Sequence, residues 1–425
     1  MKRRRSSPAG HAAQARRNAR STARPEAPRT RTSGRVVALV IAAAALTILA
    51  AVALASALEP GRGGGHAAQP GSSAASPTPR SVAARSTQAV TSGSAVAATS
   101  STLAAAPAVS IVSGGDTIGD RGVKAYLAIH GADAVFAGIA PTLRAADAAW
   151  VNLESPLTGT SDPFPGKDVH FQGDPRLAAG LANAGIDVVN MANNHAVDQS
   201  QAGLLESIRR VKAAGVKVVG AGKNAAAARQ PAIVQTSRGA TIGFLGWTDI
   251  IWPGYEAGSG PGVATARTDM SQVTRAIRRL KVRVDYVVVC FHWGVEYTDR
   301  PIAAQVSEAH AAIDAGADMV IGHHPHVLQG AQLYKGHFII YSLGDLVFDH
   351  YSLATGQTVL VSAVLSPRGV KVTLIPVFAS SSGIPAIATG AAGRAILLHM
   401  QQLSSSLGTK LKISGDRAYV RSSGT

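Results

Sequence analysis

From residue 109 onward, short apolar runs alternate with stretches whose apolar residues recur every three to four positions. Val109–Ser113, Ala148–Leu153, Val188–Met191, Val216–Val219, Thr241–Gly246, Tyr286–Phe291, Met319–Gly322 and Phe338–Ser342 are short, rich in β-branched residues and bounded by Gly, Asp or Asn. That pattern predicts buried strands. Pro175–Ala184, Ala202–Ala214, Met270–Leu280 and Ala303–Ala315 carry the helical period and fall between them. Regular β/α alternation predicts an α/β fold around a largely buried sheet. Thr358–Ser366 and Val370–Val377 read as a hairpin around Pro367-Arg368-Gly369, and Gly393–Leu407 as a terminal helix.

The first hundred residues follow another pattern. Val36 to Leu58 is a run of 23 residues without charge, Pro or Gly. About 20 apolar residues span a bilayer, and a cleaved signal core is shorter. Residues 1–35 hold eleven Lys/Arg against Glu26, and positive flanks stay in the cytoplasm. The expectation is a single-pass protein of the cell membrane, with its N-terminus cytoplasmic and the main domain outside. Residues 59–107 are Gly, Ser, Ala, Pro and Thr, too little apolar surface to offset ordering, and read as a linker. The predicted divisions are a basic tail over 1–35, a transmembrane helix over 36–58, the linker, a domain over 108–378 and a C-terminal extension over 379–425.

Of the net charge of +16, the tail holds +10 and residues 108–425 only +4. A nucleic-acid partner needs a basic stripe on the domain, and the sequence displays none, so no nucleic-acid role is expected. The one cysteine, Cys290, rules out an intrachain disulfide.

Polar clusters follow the apolar runs directly: Gly115-Asp116, Asn152-Leu153-Glu154, Asn193-Asn194-His195, His292-Trp293-Gly294, His323-His324-Pro325-His326 and Gly344-Asp345. Sites in α/β sheets form at the carboxyl ends of strands. Asp116, Glu154, Asn194, His292, His324 and His326 are therefore candidate ligands for one or two divalent ions such as Mn, Fe or Zn, which accept mixed N/O donors. Two ions would clamp a phosphoryl oxygen, with His195 as general acid. Taken singly, Asp116 reads as a turn former, His292 as a core histidine, and Asn193-Asn194-His195 as a helix cap. His323 faces away from His324 and reads as a support, and Asp345 as a hydrogen-bond partner of a ligand imidazole.

These segments also resemble a known family. Gly115-Asp116-Thr117-Ile118-Gly119-Asp120-Arg121, Asn152-Leu153-Glu154-Ser155-Pro156-Leu157, Ala192-Asn193-Asn194-His195-Ala196-Val197-Asp198, His292-Trp293-Gly294-Val295-Glu296-Tyr297, Gly322-His323-His324-Pro325-His326 and Tyr341-Ser342-Leu343-Gly344-Asp345 resemble, in order, the motifs of the CapA family of capsule and poly-γ-glutamate synthesis proteins. The resemblance implies an αββα sandwich of the calcineurin-like metallophosphoesterase type, and polymer-synthesis machinery as a partner. It implies Arg121, Asn193, Asp198, Glu296, His323 and Asp345 as supporting or substrate-facing residues. Ile118 stands where a phosphoesterase has the His of Asp-x-His, Glu154 replaces an Asp, and Asp345 replaces the family's usual Asn. Three functions stay open: a metal-dependent hydrolase or transferase acting on a phosphorylated or anionic substrate, a non-catalytic polymer-binding assembly subunit, and an envelope phosphatase unrelated to capsule.

Overall fold

The computed structural model describes residues 106–422 apart from Thr268 and Tyr351. The predicted tail, membrane span and nearly all of the linker lie outside the described residues. Among those described, no helix is long and apolar enough to cross a membrane.

In chain order the strands are Val109–Thr117 (β1), Ala148–Leu153 (β2), Val188–Asn190 (β3), Lys217–Val219 (β4), Ala221–Gly222 (β5) and Ala232–Gln235 (β6). There follow Thr241–Thr248 (β7), Gly262–Val263 (β8), Tyr286–His292 (β9), Met319–His323 (β10), Leu328–Tyr334 (β11) and His337–Leu343 (β12). The last are Asp345–Val347 (β13), Gln357–Ser366 (β14), Gly369–Ala379 (β15), Pro385–Ile387 (β16), Lys412–Ser414 (β17) and Arg417–Arg421 (β18). One sheet runs β17-β18-β15-β14-β1-β2-β3-β4, with β13 beside β1 and β16 beside β15; the other runs β11-β12-β10-β9-β7-β6. Neighbouring strands from β1 to β4 are parallel, as are β7, β9, β10 and β12, whereas β14, β15, β6 and β11 join antiparallel.

Side chains alternate across a strand, and here both faces are apolar. Ile111 and Trp150 on one sheet, and Val288, Cys290 and Ile321 on the other, fill a shared core between the sheets. Val112 and Val151 point outward and pack under the helices Arg121–His130, Leu177–Asn183 and Ser200–Ala213. Val287, Val289 and Phe291 pack under Met270–Lys281 and Ala303–Asp314. Met270–Lys281 buries Val273, Ile277 and Leu280 on one stripe, and Asp269 caps it by accepting from the Ser271 amide at 2.9 Å. The molecule is thus a mixed α/β structure with two sheets face to face and helices on both outer sides.

The predicted helices occur at Leu177–Asn183, Ser200–Ala213, Met270–Lys281 and Ala303–Asp314, and the hairpin is β14–β15. The predicted terminal helix is Gly390–Ser405, and its Ile396, Leu397 and Met400, with Ala418 and Val420 of β18, enter the core between the sheets. One expectation needs correcting: Gly114-Gly115-Asp116 does not follow β1 but lies within it, because β1 continues to Thr117 to pair with β13.

A half-buried carboxyl pair lies off the sheet end. Asp249 follows β7, its amide donating to the His292 carbonyl at 3.0 Å. Its carboxyl faces Glu308 of Ala303–Asp314, and neither Asp249 Oδ1 nor Glu308 Oε2 has a conventional donor. Burial first, and then the Asp249 carboxyl, push the Glu308 pKa from 4.5 to about 9. A carboxyl raised by folding costs stability once pH passes its unfolded value, and the cost grows until the folded value is reached. Glu308→Gln is therefore expected to raise the melting temperature at pH 8 and leave it unchanged at pH 4. Glu308 is partly exposed, so the gain at pH 8 is about 1 kcal/mol after solvent screening. Thermal denaturation at the two pH values checks this, and an equal gain at both would refute it.

Candidate metal centre

Six segments far apart in sequence meet at the carboxyl ends of the parallel strands. Asp116 pairs in register with Asn152 on one side and Asp345 on the other, and His292 of β9 lies in register with His323 of β10. The approach of β13 requires glycine at 115, where an added Cβ would sit 2.0 Å from the Gly344 carbonyl oxygen. Past β10 the chain turns sharply: His324 and His326 hold φ of 95° and 56°. Non-glycine residues rarely occupy that region, and strain of this kind gathers at functional sites.

Three groups of donor atoms lie within coordinating reach: Asp116, Glu154 and His292; Glu154, His324 and His326; and Asp116, His326 and Asp345. In each, the ligand atoms lie within 4.8 Å of one another. His292 Nε2 also lies 3.4 Å from Glu154 Oε1 and 2.7 Å from Asn194 Oδ1. All six predicted ligands thus fall at one place. Asp345, read from sequence as a support, joins them through His326 Nδ1 at 2.8 Å. Ile118 lies wholly buried in the apolar core beneath the helices.

The electrostatics of this cluster suit a cation. Burial and then the Asp116 charge push the Glu154 pKa well above its ordinary value. Burial would raise Asp116 too, but the His323 and His326 imidazoles and the His324 amide outweigh it and hold the carboxylate low. Burial and the neighbouring imidazoles keep His292 well below its ordinary pKa, and burial with His326 takes His324 down to about 3. Neutral imidazoles are the form that binds metal; at His326 burial is outweighed by the Asp345, Glu154 and Asp116 carboxylates, which hold it well above its ordinary pKa, so an ion there would displace a proton. Glu154 Oε1 and His324 Nδ1 are buried without a hydrogen-bond partner. Orphaned donors and acceptors in a buried site are costly, and a divalent ion would satisfy them.

A second layer holds the cluster in place. Asn152 Nδ2 donates to Asp116 Oδ1 at 2.8 Å and lies 3.3 Å from His292 Nδ1. Asn193 ties the β3 loop to β2 through the Leu153 carbonyl at 2.8 Å and receives the His195 amide at 3.1 Å. His323 Nδ1 sits 3.0 Å from Asp116 Oδ1 and so backs the cluster's central carboxylate. His195 Nδ1 meets Asp198 Oδ2 at 2.6 Å, nearer than the Lys167 ammonium at 3.2 Å. Nδ1 therefore carries the proton given to Asp198, and Nε2 is the atom left to exchange one. Burial lowers the His195 pKa, and Asp198 opposes it.

A cleft of about 400 Å³ opens beside the cluster, lined by His195, His326, Asp345, Arg121 and Glu296 among others. Arg121 and Glu296 stand at its rim rather than among the ligands. Arg121 Nε donates to Asp349 at 2.7 Å, with the guanidinium over Phe171 and Phe348. Lys167, Asn152 and Tyr255 escaped the sequence reading as site residues. Asn152 could have been found inside its Asn-Leu-Glu motif, whereas Lys167 and Tyr255, which both bind Asp198, lie in loops without a pattern.

A model of the bacterial capsule synthesis protein PGA_cap matches residues 110–350. The chain belongs to this family. It is 35% identical over 257 residues to the PGA biosynthesis protein CapA of Bacillus subtilis, covering 60% of this chain and 67% of that protein. It is 33% identical over 283 residues to the capsule biosynthesis protein CapA of Bacillus anthracis, covering 65% and 69%. A probable polyglutamine synthesis accessory protein of Mycobacterium tuberculosis shares 31% over 215 residues, covering 48% and 57%. A solved putative 5'-nucleotidase from Staphylococcus aureus matches with a TM-score of 0.38 at 13% identity, over 66% of this chain and 53% of that one, too remote to bear on the chemistry. The family segment takes in every donor of the cluster, from Asp116 to Asp345.

Proposed function

We propose that the chain is a membrane-anchored, extracytoplasmic part of the capsule machinery. Its metal centre acts on a phosphorylated or anionic substrate during poly-γ-glutamate assembly. The apolar run 36–58 behind eleven basic residues supports the anchor and its orientation. Two sheets face to face, helices outside and a site at the strand ends support the calcineurin-like phosphoesterase type of αββα fold. The observation that carries the catalytic reading is the convergence of Asp116, Glu154, His292, His324, His326 and Asp345, with orphaned donor atoms among them.

These residues, with Asn194, would hold one or two ions of Mn, Fe or Zn type. A divalent ion held there would polarise the substrate's phosphoryl oxygen and lower the pKa of a bound water. His195, fixed by Asp198, exchanges a proton at Nε2 with the departing oxygen. Arg121 at the rim binds the substrate's negative charge. The non-catalytic reading, a polymer-holding subunit, has one observation in its favour: Ile118 in the apolar core leaves one ligand fewer than a phosphoesterase has.

Elemental analysis of the purified full chain separates the two readings, together with turnover of a generic phosphomonoester. The catalytic reading expects about one metal equivalent or more per chain. His195→Gln should then keep the metal and lose about a hundredfold or more in turnover. Metal below about 0.1 equivalent, or turnover that His195→Gln leaves intact, would overturn it.

A further inference from the structure

The sequence shows no basic stripe in 108–425, yet the fold builds one. β4 and β6 end their respective sheets and touch each other at one edge of the sandwich. Two clefts of about 710 and 580 Å³ adjoin there and share Gln230 and Pro231. Lys212, Lys217 and Lys223 line the first. Arg229, Arg275, Arg279 and Arg283 line the second. No carboxylate lines either, and neither shares a residue with the cleft at the metal centre. Asp269 reaches Arg275 at 3.5 Å and Asp187 lies near Lys217, both from outside the clefts. Arg229, Arg279 and Arg283 have no ion pair among the described residues.

Two ordinary explanations account for part of this. Lysines on an edge strand discourage pairing with other chains, and arginines near a helix C-terminus suit its dipole. Arg229, the C-cap of the short helix Ala225–Ala228, fits the second explanation too. What neither explains is Trp247, wholly buried on the second cleft with its Nε1 unpartnered among the described residues. Arg229 Nε and Gln272 Oε1, on the same cleft, are also buried without a partner.

We propose that the two clefts form one track that binds an extended polyanion with regularly repeating carboxylates. The cations are strung out, not convergent: Arg275 and Arg279 stand one helical turn apart, about 6 Å along the axis, and Arg283 follows just past the helix end. A single phosphate would call for donors aimed at one point. Guanidinium groups pair with carboxylates through two parallel hydrogen bonds. A single-stranded nucleic acid would need exposed rings for its bases to stack on. Trp247, the only aromatic residue lining either cleft, is buried. The inference rests on the capsular reading above and adds where the polymer lies.

The test must be local, because the basic tail binds any polyanion. The full chain is labelled with an amine-reactive reagent, with and without poly-γ-glutamate, and each lysine's labelling rate is read by peptide mass spectrometry. The polymer should slow labelling of Lys212, Lys217 and Lys223 at least fivefold, and leave Lys371 and Lys410, exposed elsewhere, unchanged. The triple change Arg275→Gln, Arg279→Gln and Arg283→Gln, on exposed positions, should abolish that protection. Asp116→Asn should leave it intact, so a failed metal centre and a failed track give different results. Equal protection of all five lysines, protection that survives the triple change, or stronger protection by single-stranded DNA of equal charge would overturn the proposal.

Discussion

Asp116→Asn should strip the chain of bound metal while leaving it folded. Asp116 belongs to two of the three donor groups. Its Oδ1 takes Asn152 at 2.8 Å, and its Oδ2 takes the His324 amide at 3.1 Å and lies 3.8 Å from His326 Nδ1. Asparagine keeps the shape and one acceptor but removes the charge that stands among four imidazoles. Losing even a partner of a ligand weakens binding about 10- to 100-fold, so losing this ligand should cost about a hundredfold or more. Metal per chain should fall below about a tenth of wild type after dialysis, and cells carrying only this variant should lose capsular polymer. Asp345→Asn is the contrast. Asparagine is the residue that the CapA resemblance expects there, and its Oδ1 can still coordinate, so the loss should stay near tenfold. Elemental analysis and circular dichroism of both variants decide it; wild-type metal content in folded Asp116→Asn would remove the centre from the account.

Much of this site was legible because its donors follow strands. Strands read easily from apolar runs, and the polar residue after each run had to lie at a sheet end. That logic brought Asp116, Glu154, Asn194, His292, His324 and His326 together from five segments. It could not say which neighbour of a candidate ligand also joins the donor cluster, because that depends on register. Asp345 joins the cluster only because β13, three residues long, pairs parallel to β1 at Asp116. So short a strand leaves no periodic signal. The basic track was hidden because a charge count over a segment carries no positions; the cleft of Lys217 and that of Arg229 and Arg283 adjoin only through the two sheet edges. The small edge elements β5, β8 and β16 escaped notice because tertiary pairing, not local pattern, makes them strands.

Gly115→Ala should be among the most damaging single changes in the chain. Residue 115 lies inside β1, where β13 passes so closely that a Cβ would stand 2.0 Å from the Gly344 oxygen, 3.0 Å from its carbonyl carbon and 3.3 Å from the Leu346 nitrogen. All three are backbone atoms, so no rotamer change relieves the clash. Two outcomes are physically open. If β13 holds its place, the overlap costs more than about 4 kcal/mol and lowers the melting temperature by about 8 °C or more. If β13 retreats, the bond from the Asp116 amide to the Gly344 carbonyl at 3.0 Å breaks, and Asp345 leaves its register with Asp116. Metal content then falls even where the fold survives. Gly131→Ala separates this from a general loss of glycine freedom, since Gly131 has φ of 83° but nothing within 4 Å of an added Cβ. It should cost only about 1 kcal/mol. Melting curves and metal analysis of the two variants give the answer, and a Gly115→Ala chain with both values at wild type would mean that β13 does not lie against β1 as described.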